Sequence, residues 1–82
     1  MQQNSDYLIW AEVMTKEYQR LCNDVQLDRK TVIDSYGATN PAEFFAVATE
    51  TFFEKPHQLQ NQHPALYQLL QRYYQLAPVQ WD

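Results

Sequence analysis

The side chains most able to bind a metal or move a proton in this sequence are Cys22, Glu43, Glu50, His57 and His63. Two imidazoles share one helical face when three or four residues separate them, and a local zinc site depends on that spacing. His57 and His63 are six apart, so they do not form such a pair unaided. Their simpler readings are a solvated loop residue for His57 and a polar residue before a helix-opening proline for His63. A Cys/His nucleophile is the second arrangement to weigh. Nucleophilic thiols occur at helix starts or beside cations, whereas Cys22 falls late in a helical stretch, near the negative end of its dipole. A buried, inert thiol is the expectation there. The third arrangement is a carboxylate pair, Glu43 with Glu50, about 10 Å apart along one helix. That reach is long for a shared proton, and Glu43 has a local task as the acid of an Asn40-x-x-Glu43 capping box.

The elements that carry these residues are marked by periodicity and by proline. Trp10, Met14, Tyr18, Leu21 and Val25 recur at helical spacing and predict a helix over about 5–25, with Asn4 or Ser5 as its cap. Residues 26–39 mix charges with Val32, Ile33 and the only glycine, Gly37, and have no helical period. They read as a loop with a short extended or turn segment. At Asn40-Pro41-Ala42-Glu43 a capping amide, a proline at the first helical position and an acid at the third coincide, so a helix over 41–54 is expected. Its pattern puts Phe44, Phe45, Ala48 and Phe52 on one side and Glu43, Val47, Glu50 and Glu54 on the other. Residues 56–62 are read as a short helical turn. His63-Pro64 then opens a last helix over 64–77, with Leu66, Leu69, Leu70, Tyr73 and Ala77 as its stripe and Pro78 as its stop. The fold class is therefore all-α, three main amphipathic helices and a short turn in one domain over 1–82.

Composition limits the partners. Six basic residues against ten acidic ones give a formal net charge of −4 and a pI of 4.9, which opposes phosphate binding, so no nucleic-acid partner is expected. A lone cysteine allows no internal disulfide and no thiolate cage. The first residues have neither positive charge nor an apolar run, and no stretch is long and apolar enough for a membrane. No membrane partner is expected, and the cytoplasm is the expected location.

The run from Ile33 to Pro56, centred on Tyr36-Gly37-Ala38-Thr39-Asn40-Pro41-Ala42-Glu43-Phe44-Phe45-Ala46-Val47, resembles the signature segment of the Mlc titration factor A family of zinc peptidases. The resemblance extends into His63-Pro64-Ala65-Leu66-Tyr67 and the last helix, and back into the first helix, so it covers nearly the whole chain. It implies a site in which a helix bearing His-Glu-x-x-His gives two zinc ligands and the general base, and a later helix gives a third ligand. On the matching motif that ligand is Glu43, and Tyr36, seven residues earlier, would stand beside the metal as an oxyanion stabiliser. Three protein ligands leave one zinc position for water, whose pKa the metal lowers, and a phenol can donate as charge develops.

The sequence departs from that family at one decisive point. No His-Glu-x-x-His occurs in the 82 residues, because His57 is followed by Gln58 and His63 by Pro64. No cofactor is therefore expected in this chain, although the resemblance implies zinc in the full-length family; Tyr36 is read as vestigial and Glu43 as a third-ligand position left empty here. Three readings follow: a truncated remnant without activity, a helical interaction module that binds itself, a full-length relative or a regulatory protein, or an enzyme completed in trans. Twelve aromatic residues exceed what three amphipathic helices readily bury among themselves. A homodimer through the first and last helices is expected, with Ile9, Val13, Tyr67 and Tyr74 as the open apolar surface.

Overall fold

The computed structural model of the chain describes residues 2–75 and 78–80, with side chains from Tyr7 onward. The fold is all-α. Its helices are α1 (Gln2–Gln26), α2 (Pro41–Glu54), α3 (Pro56–Gln62) and α4 (Pro64–Tyr74), with 3-10 turns at Ser35–Ala38 and Pro78–Gln80.

Helix α1 starts ahead of the expected caps, so Asn4 and Ser5 lie within it. Gln is an ordinary helix former, and nothing at Gln2 or Gln3 stops the helix from extending. Its far end is a Schellman closure. Asp28 takes a left-handed conformation with φ 57°, which lets Arg29 N donate to Asp24 O at 2.9 Å and Asp28 N to Val25 O at 3.0 Å.

The stretch read as a loop is partly ordered into a 3-10 turn. Asp34 caps it, its carboxylate accepting from Tyr36 N at 2.8 Å. Gly37 is buried in this turn, and a Cβ on it would come within 3.1 Å of Leu21 Cδ2 and 3.5 Å of Val47 Cβ. A side chain there would press on Leu21, so glycine suits the close fit of the turn between α1 and α2. Ile33, just upstream, is wholly buried.

The remaining boundaries are set by proline. Asn40 caps α2, accepting from Glu43 N at 2.9 Å, and Pro41 occupies the first turn, where its missing N–H is not needed. Lys55 and His63 both leave the helical region, at φ −133° and −136°, because a following proline crowds the helical conformation of the residue before it. The chain turns at each of these single residues while backbone bonding continues around the corner: Leu59 N donates to Lys55 O, and Tyr67 N to His63 O, both at 2.9 Å. The segment 56–62 is thus a helix of seven residues whose Leu59 is fully buried. Helix α4 ends at Tyr74, ahead of the expected 77, because Gln75 is left-handed at φ 56°. The expected end, Ala77, lies outside the described residues.

One core joins all four helices: Leu21, Ile33, Phe44, Val47, Ala48, Phe52, Leu59, Leu66, Tyr67 and Leu70. It corrects two face assignments. Val47, expected among the acids, is buried, because α2 is covered on that flank by the turn at Gly37. On α4, Tyr67 is fully buried and Tyr73 is 59% exposed, the reverse of the periodic stripe. Burial of Tyr67 is possible because its hydroxyl accepts from Val79 N at 3.3 Å, so no polar atom is stranded. Phe52 packs 5.2 Å from its ring.

Candidate functional site

Glu43 sits in the first turn of α2, half-buried, with its backbone N–H held by Asn40. Tyr36 lies in the preceding 3-10 turn and is 58% exposed. The residues between them are tied down from two directions. Thr39 closes the turn, its backbone N and its Oγ1 both donating to Tyr36 O at 3.1 and 2.7 Å. From behind, α1 holds the Ala38 carbonyl, which accepts from Tyr18 Oη at 3.4 Å and from Cys22 Sγ at 3.8 Å. Hydrogen bonding with Cys22, then burial, raise the Tyr18 phenol above its ordinary value, favouring its protonated, donating form. Helix α1 therefore positions the Tyr36–Glu43 segment, a role that sequence spacing did not reveal.

The other candidates separate. Cys22 is half-buried and makes its contact with Ala38, not with a histidine. Glu50 is exposed and lines, with Glu54, Asp34, Asp28, Arg29 and Lys55, a polar cleft of about 540 Å³ between the end of α1 and α2. His57 is exposed on α3.

His63, read as a simple polar residue before proline, is instead buried. Its Nδ1 lies 2.7 Å from Glu17 Oε1 and 3.2 Å from Arg20 Nη1. A carboxylate has no hydrogen to give, so Nδ1 carries the proton and donates to Glu17. The guanidinium is all donors and cannot bond the same protonated nitrogen, so its hydrogen bond goes to Gln62 O at 3.1 Å. This cluster fastens α1 to the corner between α3 and α4. No local signal could have found it, because Glu17 and His63 are 46 residues apart.

Among the described residues, no group of three or more His, Cys, Asp or Glu side chains is placed to hold a metal ion. Catalytic zinc takes three protein donors, and the resemblance offers one candidate here, Glu43. The donor set of these residues does not fit zinc by itself. Glu43 is then expected to act mainly on its helix: Glu43→Gln should change stability by less than about 1 kcal/mol, through the dipole. Asn40→Ala, which removes the cap itself, should lose about 1 kcal/mol. Thermal melts of the two variants check the order, and a larger loss in the glutamine variant would mean that Glu43 is paired inside the fold.

Residues 1–75 match the family described as Glucose-regulated metallo-peptidase M90. An uncharacterised protein of Synechocystis sp. is 53% identical over 75 residues, which are 92% of this chain and 27% of that protein. Mlc titration factor A of Serratia proteamaculans is 33% identical over 76 residues, 90% of this chain and 29% of that protein. For Mlc titration factor A of Yersinia pestis the identity is 47% over 47 residues, 57% of this chain and 17% of that protein. The chain spans less than a third of the length of these relatives. No solved structure matches it.

Proposed function

Because the chain belongs to the glucose-regulated metallo-peptidase M90 family, we propose that its 82 residues form the third-ligand segment of such an enzyme's zinc site and are not a peptidase by themselves. In this reading Glu43 is the ligand and Tyr36 the phenol beside the metal. Both act only when a histidine helix is supplied, from a longer chain or in trans. The observation that carries the reading is the combination of an intact Tyr36–Glu43 segment, braced by Tyr18, Cys22 and Asn40, with a sequence that has no His-Glu-x-x-His. A second reading, a helical module for protein interaction, is favoured by the exposed Tyr7, Leu8 and Tyr73. The two are compatible.

Metal analysis after dialysis, paired with an aminopeptidase and a general protease assay, tests the proposal. The purified chain is expected to retain no stoichiometric zinc at micromolar concentration and to cleave no peptide. Mixed with a polypeptide that carries a His-Glu-x-x-His helix, it should retain zinc in a manner that Glu43→Gln abolishes. Tight zinc in the chain alone, or retention in the mixture that ignores Glu43, would remove the ligand assignment.

A further inference from the structure

Tyr36 and Glu43 stand on two fixed pieces of chain that meet at Ala38, Thr39 and Asn40. The first piece is the 3-10 turn, in which Tyr36 N donates to the Asp34 carboxylate at 2.8 Å and Gly37 N to the Asp34 carbonyl at 2.9 Å. The second is the first turn of α2, fixed by the Asn40 cap and by Pro41. Between them the backbone passes from helical at Thr39, φ −64° and ψ −50°, to extended at Asn40, φ −165° and ψ 168°. The torsions of these two residues therefore decide how Tyr36 is set relative to Glu43.

The peptide unit that joins Ala38 to Thr39 is held at both ends. Its N–H, on Thr39, donates to Tyr36 O at 3.1 Å inside the turn. Its carbonyl, on Ala38, accepts from Tyr18 Oη at 3.4 Å and from Cys22 Sγ at 3.8 Å. These two donors are four residues apart and share one face of α1. The hydroxyl is the stronger of them, since a thiol donates weakly. Tyr18 also reaches the other side of the junction: its ring meets that of Phe44, the neighbour of Glu43, edge-on at 5.8 Å between centroids. One side chain thus grips the segment on both sides of its turning point.

We infer that Tyr18 is a positioning residue, whose hydroxyl on the Ala38 carbonyl and ring on Phe44 together set Tyr36 against Glu43. Its bearing on a metal rests on the zinc reading above; its hold on the segment does not. The hydrogen bond, at 3.4 Å, is longer than the usual hydroxyl bond of about 2.7 to 2.8 Å, so it adds little to global stability. What it supplies is direction, selecting one orientation of a carbonyl where the chain turns.

Tyr18→Phe isolates that effect, because it removes the hydroxyl and keeps the ring. In amide hydrogen exchange followed by NMR, Gly37 and Thr39 should exchange about three- to tenfold faster in this variant. The Leu59 and Tyr67 amides, bonded around the two ends of α3, should keep their rates, and the melting temperature should hold. Tyr74→Phe is the control: it deletes a hydroxyl that lies 3.2 Å from Thr49 Oγ1 and should leave Gly37 and Thr39 unchanged. In the mixture with a His-Glu-x-x-His polypeptide, Tyr18→Phe should weaken zinc retention about tenfold, where Glu43→Gln abolishes it. Unchanged exchange at Gly37 and Thr39 overturns the positioning role, as does an equal rise at Leu59 and Tyr67 or an equal effect of Tyr74→Phe. Zinc held as tightly by Tyr18→Phe as by the unaltered chain overturns its bearing on the metal. A mixture without zinc, together with faster exchange confined to Gly37 and Thr39, would remove the ligand reading and leave Tyr18 as the residue that sets the segment.

Discussion

Phe52→Ala is expected to destabilise the chain by about 3 to 5 kcal/mol. The ring is fully buried and touches three others, Phe53 at 5.0 Å, Tyr67 at 5.2 Å and Tyr74 at 6.0 Å between centroids. Removing it opens a cavity where α2 meets α4, and aromatic neighbours on two helices cannot collapse into it without moving backbone. A domain of this length has about 4 to 12 kcal/mol of stability, so the loss is a large share of the total. The melting temperature should fall by roughly 15 to 30 °C. Phe45→Ala should lose about half as much, since Phe45 is only partly buried and packs at the edge of the core against Trp10 and Tyr73. Calorimetry of the two variants decides the point. Equal losses would mean that α2 buries the whole aromatic side its pattern suggests, and that the face described for it is wrong.

His63→Ala should destabilise by about 2 to 3 kcal/mol. The imidazole is buried and the Glu17 carboxylate nearly so, and deletion leaves that carboxylate without its 2.7 Å donor. Arg20, at 3.9 Å, compensates in part. Glu17→Gln keeps an acceptor for the Nδ1 proton and should lose less than half as much. Urea titrations of the two variants separate hydrogen bonding from charge. If the glutamine variant lost as much as His63→Ala, the ionic contact rather than the hydrogen bond would be what holds the α3–α4 corner to α1.

The helix starts marked by proline were legible in the sequence because they depend on near neighbours. Pro41, Pro56 and Pro64 each constrain the residue before them and remove one donor, and Asn40 reaches a backbone N–H three residues on. The start of α2 therefore falls where the pattern puts it. The same locality made Glu43 and Tyr36 identifiable as candidates, since a motif is contiguous.

Tertiary structure alone decided which side of each helix is inside. Periodicity lists the apolar residues of α4 but does not say that Tyr67 is buried and Tyr73 exposed; that choice is made by packing, with the Phe52 ring against Tyr67 and Val79 N satisfying its hydroxyl. Val47 became core because the 3-10 turn at Gly37 packs over that flank of α2. His63 became a buried donor because Glu17, 46 residues earlier, waits on α1. The bracing of the Ala38 carbonyl by Tyr18 and Cys22 has the same origin. Each of these contacts joins positions far apart in the chain, so its free energy exists only once the helices have packed, and no window of neighbouring residues contains both partners.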